Sequence, residues 1–218
     1  MIRYHARLVL PVARPPIERG TVAVREGRIA YVGPTSRAPS GVDVDLGHVA
    51  LLPGLVNAHT HLELTAMRGF LEDLPFQQWI LRLTRARRDV LDEARLLDAA
   101  RFGLVEGLRA GITTYGDTCS SGVVLRALRE AGARGIMYQE VFGPDPAQCA
   151  DAIRGLEEKV RALRAQETPL VRLGVSPHAP YSVSDALFAA TADLARRERL
   201  PMAVHVAESA DEDRYVRA

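Results

Sequence analysis

Hydrophobic and polar residues follow two different rhythms along the 218 residues. Over residues 1–50, short runs with apolar residues at alternate positions are broken by turn residues: IRYHARLVL, then GTVAVREGRIAYVG with a Glu-Gly turn inside it, then VDVDLG. Such period-two runs predict strands, here a small β unit. From residue 51 onward, apolar runs alternate with amphipathic stretches, which predicts βαβ units around a parallel sheet. The strand candidates are LVNAHTH at 55–61, GITTYGDT at 111–118, RGIMYQEVF at 134–142, LVRLGVSPH at 170–178 and PMAVHVAE at 201–208. The helices between them include LDEARLLDAARFGLVEGLRA, with Leu97, Ala100, Leu104 and Leu108 on one stripe, and DAIRGLEEKVRALRAQ. Asp145 and Pro146 suit the start of the latter, and Ser184 the cap of the next helix.

Composition adds bounds. With 47% hydrophobic and 25% charged residues, the chain reads as soluble and globular, one large domain (51–218) with a small appendage (1–50). Lys plus Arg is 28 against 27 for Asp plus Glu, so no net field recruits nucleic acid or an anionic membrane. The expected partners are a small-molecule substrate or other protein chains, with homo-oligomers left open. Cys119 and Cys149 are too far apart for a Cys-x-x-Cys motif and suggest no disulfide framework, which fits a reducing cytoplasm. The N-terminal apolar run is broken by Pro11 and is too brief for a signal-peptide core or a membrane span.

Candidate chemistry lies at the strand ends. Successive residues on a strand face opposite ways, so His59 and His61 project together from a strand expected to be buried. His178 ends a later strand, His205 sits near the end of the next, and Glu208 follows it. Each histidine alone reads as an ordinary hydrogen-bonded residue. Four at equivalent strand ends, which parallel barrels bring together, predict a metal-sized cluster. Neutral imidazoles bind Zn²⁺ or Fe²⁺ and leave a position for water, whose pKa falls from 15.7 to about 7.

These motifs carry a resemblance. PGLVNAHTHLE resembles the first-strand signature of the amidohydrolase superfamily, and AGITTYGDT, HAPYSVS and HVAES look like second-, fourth- and fifth-strand motifs of its cytosine deaminase and chlorohydrolase branch. The resemblance implies a (β/α)8 TIM-type barrel beside a β-sandwich to which residues 1–50 belong. It implies one divalent metal on His59, His61 and His205, Glu208 as the carboxylate that shuttles protons, and His178 as a substrate contact. The expected activity is hydrolytic deamination of an aminated purine-like ring, as in aminodeoxyfutalosine, S-adenosylhomocysteine or methylthioadenosine. In LEDLPFQQWI, which resembles a loop of adenosine-type deaminases, Gln78 stands where those enzymes carry Glu. Trp79 is a candidate wall for an aromatic substrate, and Glu63 and Glu140 are candidate polar contacts. A triazine-type hydrolase and a non-catalytic binding protein on the same fold are the alternatives. Five strand-helix units account for residues 51–218, whereas a closed barrel has eight strands and about 250 residues. The expectation is therefore an incomplete barrel from a longer protein, without the family's sixth-strand histidine and eighth-strand aspartate.

Overall fold

The alternating N-terminal runs fold back on each other. In the computed structural model, which describes residues 1–217, β1 (Ile2–Val9), β2 (Ile17–Arg25) and β3 (Arg28–Pro34) form an antiparallel ladder. β4 (Val42–Asp45) and the short β5 (Ala50–Leu51) run parallel to β1. Glu26 and Gly27 both have positive φ, 51° and 71°, the handedness that lets a two-residue turn match the twist of its strands. This sheet lies in a compact unit of residues Met1–Gly54; Leu55–Ala218 make a second.

The second unit is α/β. Its strands β6 (Leu55–Thr60), β7 (Ile112–Cys119), β8 (Arg134–Val141) and β9 (Val171–Pro177) pair in sequence order, all parallel. Helices α1 (Phe76–Val90) and α2 (Glu93–Arg109) follow β6; α3 (Val123–Glu130), α4 (Cys149–Arg164) and α5 (Asp185–Glu198) follow β7, β8 and β9; α6 (Ala210–Arg217) comes last. Asp92 caps α2 by accepting from Arg95 N at 2.9 Å. Asp145 caps a 3-10 turn, with Pro146 in its first position, that leads into α4. The core joins Leu97 and Leu104 of α2, Leu125 and Leu128 of α3, Leu156 of α4 and Leu187 of α5 to Tyr115, Met137 and Leu173 of the sheet.

Four local expectations need correction. Residues 201–208 form no strand: one parallel bridge joins Met202 to Val175, made by Val175 N to Pro201 O and Ala203 N to Val175 O, and beyond it His205 N bonds to His178 O. Pro177, which has no N–H, interrupts the ladder there. Leu108 is 39% exposed, because the buried stripe of α2 ends on Gly107, which packs against Tyr115. Ser184 stands at the cap of α5, but its hydroxyl makes no cap bond. β6 is mostly exposed rather than buried, since it pairs on one side only among the described residues.

Candidate active site

The β6–β7 ladder is irregular where the first two histidines lie. Asn57 pairs with Tyr115 and Thr60 with Asp117, so β6 carries one more residue than β7 over this stretch. Bulges of this kind re-aim side chains. The carbonyl of Ala58 approaches Gly116 so closely that a Cβ there would lie 2.5 Å from the oxygen. Glycine at 116 is what permits the approach. Asp117 Oδ2 accepts from Leu62 N at 2.7 Å, which ties the backbone after His61 to β7.

His59, His61 and His205 converge, with ring centroids 4.9–5.2 Å apart and one nitrogen from each within 4.8 Å of the others. His61 Nδ1 lies 3.0 Å from the Thr118 carbonyl and His205 Nδ1 lies 3.1 Å from the His178 carbonyl. Each Nδ1 therefore donates a proton, which in the neutral ring leaves each Nε2 as a lone pair. Those two Nε2 atoms face each other at 3.3 Å. Two lone pairs repel unless something positive lies between them. Two nitrogens at zinc-ligand distance from a tetrahedral ion would be about 3.3 Å apart, so this donor set fits a metal. Burial, then the neighbouring histidines, lowers His61 to about 4, and burial and His205 also lower His59. Both shifts favour the neutral imidazole on His59 and His61, the form that binds metal. Glu140, His178 and His205 make a second such group, sharing His205.

Beside the cluster is a cavity of about 390 Å³ whose lining includes Leu64, Trp79, Leu83, Glu140, Phe142, His178, Tyr181 and Glu208. Its size and apolar-aromatic walls with a few polar groups suit a small ligand. His178 Nδ1 is 2.7 Å from Ser182 Oγ, and its ring lies 4.6 Å from that of Phe142. Burial, then His205 and His61, lowers His178 to about 4. The Tyr181 hydroxyl donates to Glu208 Oε2 at 2.6 Å; burial and this bond push its pKa up, so it keeps its proton. Burial, then the charge of Glu63, raises Glu140 to about 8.

Two expected contacts sit differently. Glu63 lines the cavity, but both its oxygens are engaged: Oε1 accepts from Arg87 at 2.9 Å and from Ser120, Oε2 from the Cys119 thiol at 3.0 Å and from Ser121. Burial pushes Glu63 up, and the bonds from Cys119 and Ser121 with the Arg87 charge more than offset it, leaving the carboxyl below its ordinary value. LEDLPFQQWI is not all loop, because α1 begins at Phe76. At about 100° per residue, Trp79, Ile80, Leu83, Thr84 and Arg87 share the face that lines the cavity, and Gln78 falls on the opposite side; Gln78 is exposed and absent from the wall. Arg87 and Tyr181, which no sequence motif singles out, also line the cavity. Arg87 continues the stripe of Ile80 and Leu83 at helical spacing, a detectable sign that it faces inward.

Residues 50–218 match the amidohydrolase family, and the chain belongs to that family. Among its relatives, a 5-methylthioadenosine/S-adenosylhomocysteine deaminase of Syntrophobacter fumaroxidans is 33% identical over 198 residues, covering 87% of this chain and 45% of that one. An adenosine deaminase of Xanthomonas campestris, solved with bound zinc, superposes with a TM-score of 0.79 at 27% identity over 97% of this chain and 50% of its own. The aminofutalosine deaminase of Helicobacter pylori, solved with methylthio-coformycin, shares the fold with a TM-score of 0.88 at 21% identity, over 99% of this chain and 53% of its own. The chain spans about half the length of the curated relatives it matches. No described helix is long and apolar enough to cross a membrane.

Proposed function

We propose that these residues serve a metal-dependent hydrolytic deaminase of an aminated purine-like ring, with one Zn²⁺ or Fe²⁺ held by His59, His61 and His205. The observation that carries this reading is the pair of Nε2 atoms of His61 and His205 facing each other at 3.3 Å beside an aromatic cavity that also contains Glu208. The deaminase names of the relatives support the reaction type, and the zinc bound by the Xanthomonas enzyme supports the metal. When bound, the ion supplies Lewis acidity that makes water a competent nucleophile at neutral pH.

The chain's own groups do the rest. Hydrolysis replaces the ring C–NH2 by C=O and releases ammonia, so one carboxylate must take a proton from water and deliver protons to the ring nitrogen and the leaving amine. Glu208 is that group, with Tyr181 fixing Oε2 and leaving Oε1 for the transfers. His178, neutral and oriented by Ser182, contacts the ring. Trp79, Leu83 and Phe142 wall it off from water. Glu140 adds a polar contact within reach of His178 and His205.

The test, made on the complete enzyme that contains these residues, is ammonia release from methylthioadenosine, S-adenosylhomocysteine, 5′-deoxyadenosine, adenosine and aminodeoxyfutalosine, with metal content measured in parallel. Glu208→Gln is expected to retain the metal and lose turnover by about 10²–10⁴-fold or more. Replacing His59 and His61 by Ala is expected to abolish bound metal. Full metal retention in that double variant, or near-normal turnover of Glu208→Gln, would overturn the assignments.

A further inference from the structure

Glu208 stands on a short connection whose shape is held by a residue outside the cavity's chemistry. Ala207, just before it, has φ +58°, a left-handed conformation that L-residues with a Cβ adopt only when their surroundings impose it. The imposing group is Glu212, in the first turn of α6 and 5% exposed. Its Oε1 accepts from Ala207 N at 2.9 Å and its Oε2 from Glu208 N at 2.8 Å. Ser209 Oγ in turn accepts from Glu212 N at 3.3 Å. Ser209-x-x-Glu212 is thus a capping box, in which the glutamate ordinarily reaches back to the cap residue's own N–H. Here it reaches one and two residues further, gripping the peptide units on both sides of Ala207.

We propose that Glu212 is a positioning residue for the reaction, fixing the backbone of Ala207 and Glu208 so that the Glu208 carboxyl is presented to the cavity and to Tyr181. This rests on the reading of Glu208 as the proton carrier. Two adjacent amides satisfied by one buried carboxylate leave the 207–208 peptide a single orientation, and the Cα–Cβ direction of Glu208 follows from it. Without the grip, Ala207 has no reason to stay left-handed. Relaxation to negative φ would swing Glu208 away from Tyr181, and misplacement by about 1 Å costs about 10²-fold in rate.

The test measures amide hydrogen exchange at Ala207 and Glu208, bound metal and ammonia-release kinetics in the complete enzyme and in its Glu212→Gln, Glu212→Ala and Glu212→Gln/Ala207→Gly variants. In Glu212→Gln one amide loses its acceptor; exchange at the two positions should accelerate by about tenfold or more while the protection of β7–β9 and the bound metal persist. The kcat should fall by about 10–100-fold with KM within about twofold, the signature of a lost transition-state interaction. Adding Ala207→Gly, which adopts positive φ without strain, should restore part of both losses. If Glu212→Ala also loses metal and sheet protection, Glu212→Gln decides the matter. Unchanged exchange and kcat in Glu212→Gln, or no rescue by Ala207→Gly, would overturn the proposal. Should Glu208→Gln keep its turnover, the proton-carrier reading falls separately, and the exchange data still report whether Glu212 holds the loop.

Discussion

Replacing Arg87 by Met should destabilise the protein by about 1.5–3 kcal/mol, a value reached from both sides of the pair. Glu63 is 4% exposed and lies 2.9 Å from the Arg87 guanidinium, which is 25% exposed. Removing one member of a fully buried ion pair costs about 3–5 kcal/mol, because the other charge is left uncompensated. Two features lower that figure here. Water reaches Arg87 and screens part of its field, and Glu63 keeps donors from Cys119, Ser120 and Ser121. The loss should also be local first. Leu83 is the one buried residue of the fifteen in α1, and the Arg87–Glu63 bond is the helix's side-chain hydrogen bond to a distant segment among the described residues. Trp79 is the chain's single tryptophan and sits on α1, about two turns before Arg87. Urea unfolding followed by Trp79 fluorescence should therefore shift by about 1 M, ahead of the transition seen by far-ultraviolet circular dichroism. Glu63→Gln/Arg87→Met, with no uncompensated charge, should be more stable than Arg87→Met alone. A change below about 0.5 kcal/mol with coincident transitions would mean that the pair behaves as an exposed one, and the reasoning from burial would be refuted.

Gly116→Ala places a methyl group 2.5 Å from the Ala58 carbonyl; it should cost about 1–3 kcal/mol and weaken the proposed metal binding in chelator competition, whereas unchanged affinity would show that the histidines do not depend on this strand spacing. Asp117→Ala leaves the Leu62 N–H without its acceptor and should lower stability by about 1–3 kcal/mol in thermal unfolding. Asp117→Asn keeps an acceptor and should recover at least half of that, so equal losses would count against the bond. Leu156→Ala, at a fully enclosed position of α4, should cost about 2–5 kcal/mol in urea unfolding.

The strand-helix order of residues 55–198 and the histidine cluster were legible because both rest on local rules. A period of two places His59 and His61 on one side, and parallel strands bring their ends together whatever the intervening sequence. What escaped depends on particular contacts. The bulge between Asn57 and Thr60 is set by how closely Gly116 lets the Ala58 carbonyl approach, and no periodicity records that. Residues 201–208 had strand-like composition, yet Pro177 in the neighbouring strand withholds the N–H that would continue the ladder. Glu212 did leave a trace, since Ser209 and Glu212 have capping-box spacing, but the pattern says that a helix begins there and not which amides the carboxylate will grip.

The cavity wall shows how one misplaced element changes the chemistry expected of a site. Read as loop, LEDLPFQQWI offers Gln78 beside Trp79 as the polar contact, a neutral amide with free donors and acceptors. With Phe76 opening α1, the helix puts Trp79, Ile80, Leu83, Thr84 and Arg87 toward the cavity and leaves Gln78 exposed. The inward polar group is then a guanidinium, already bonded to Glu63. Glu63 in turn is held by the segment after β7, so the first-strand end, α1 and the second-strand end are tied through a single carboxylate. A ligand entering here meets aromatic and aliphatic surface and a charge whose counterion is built in. Exchanging Gln78 should leave this wall untouched, whereas exchanging Arg87 releases a buried carboxylate two residues from His61.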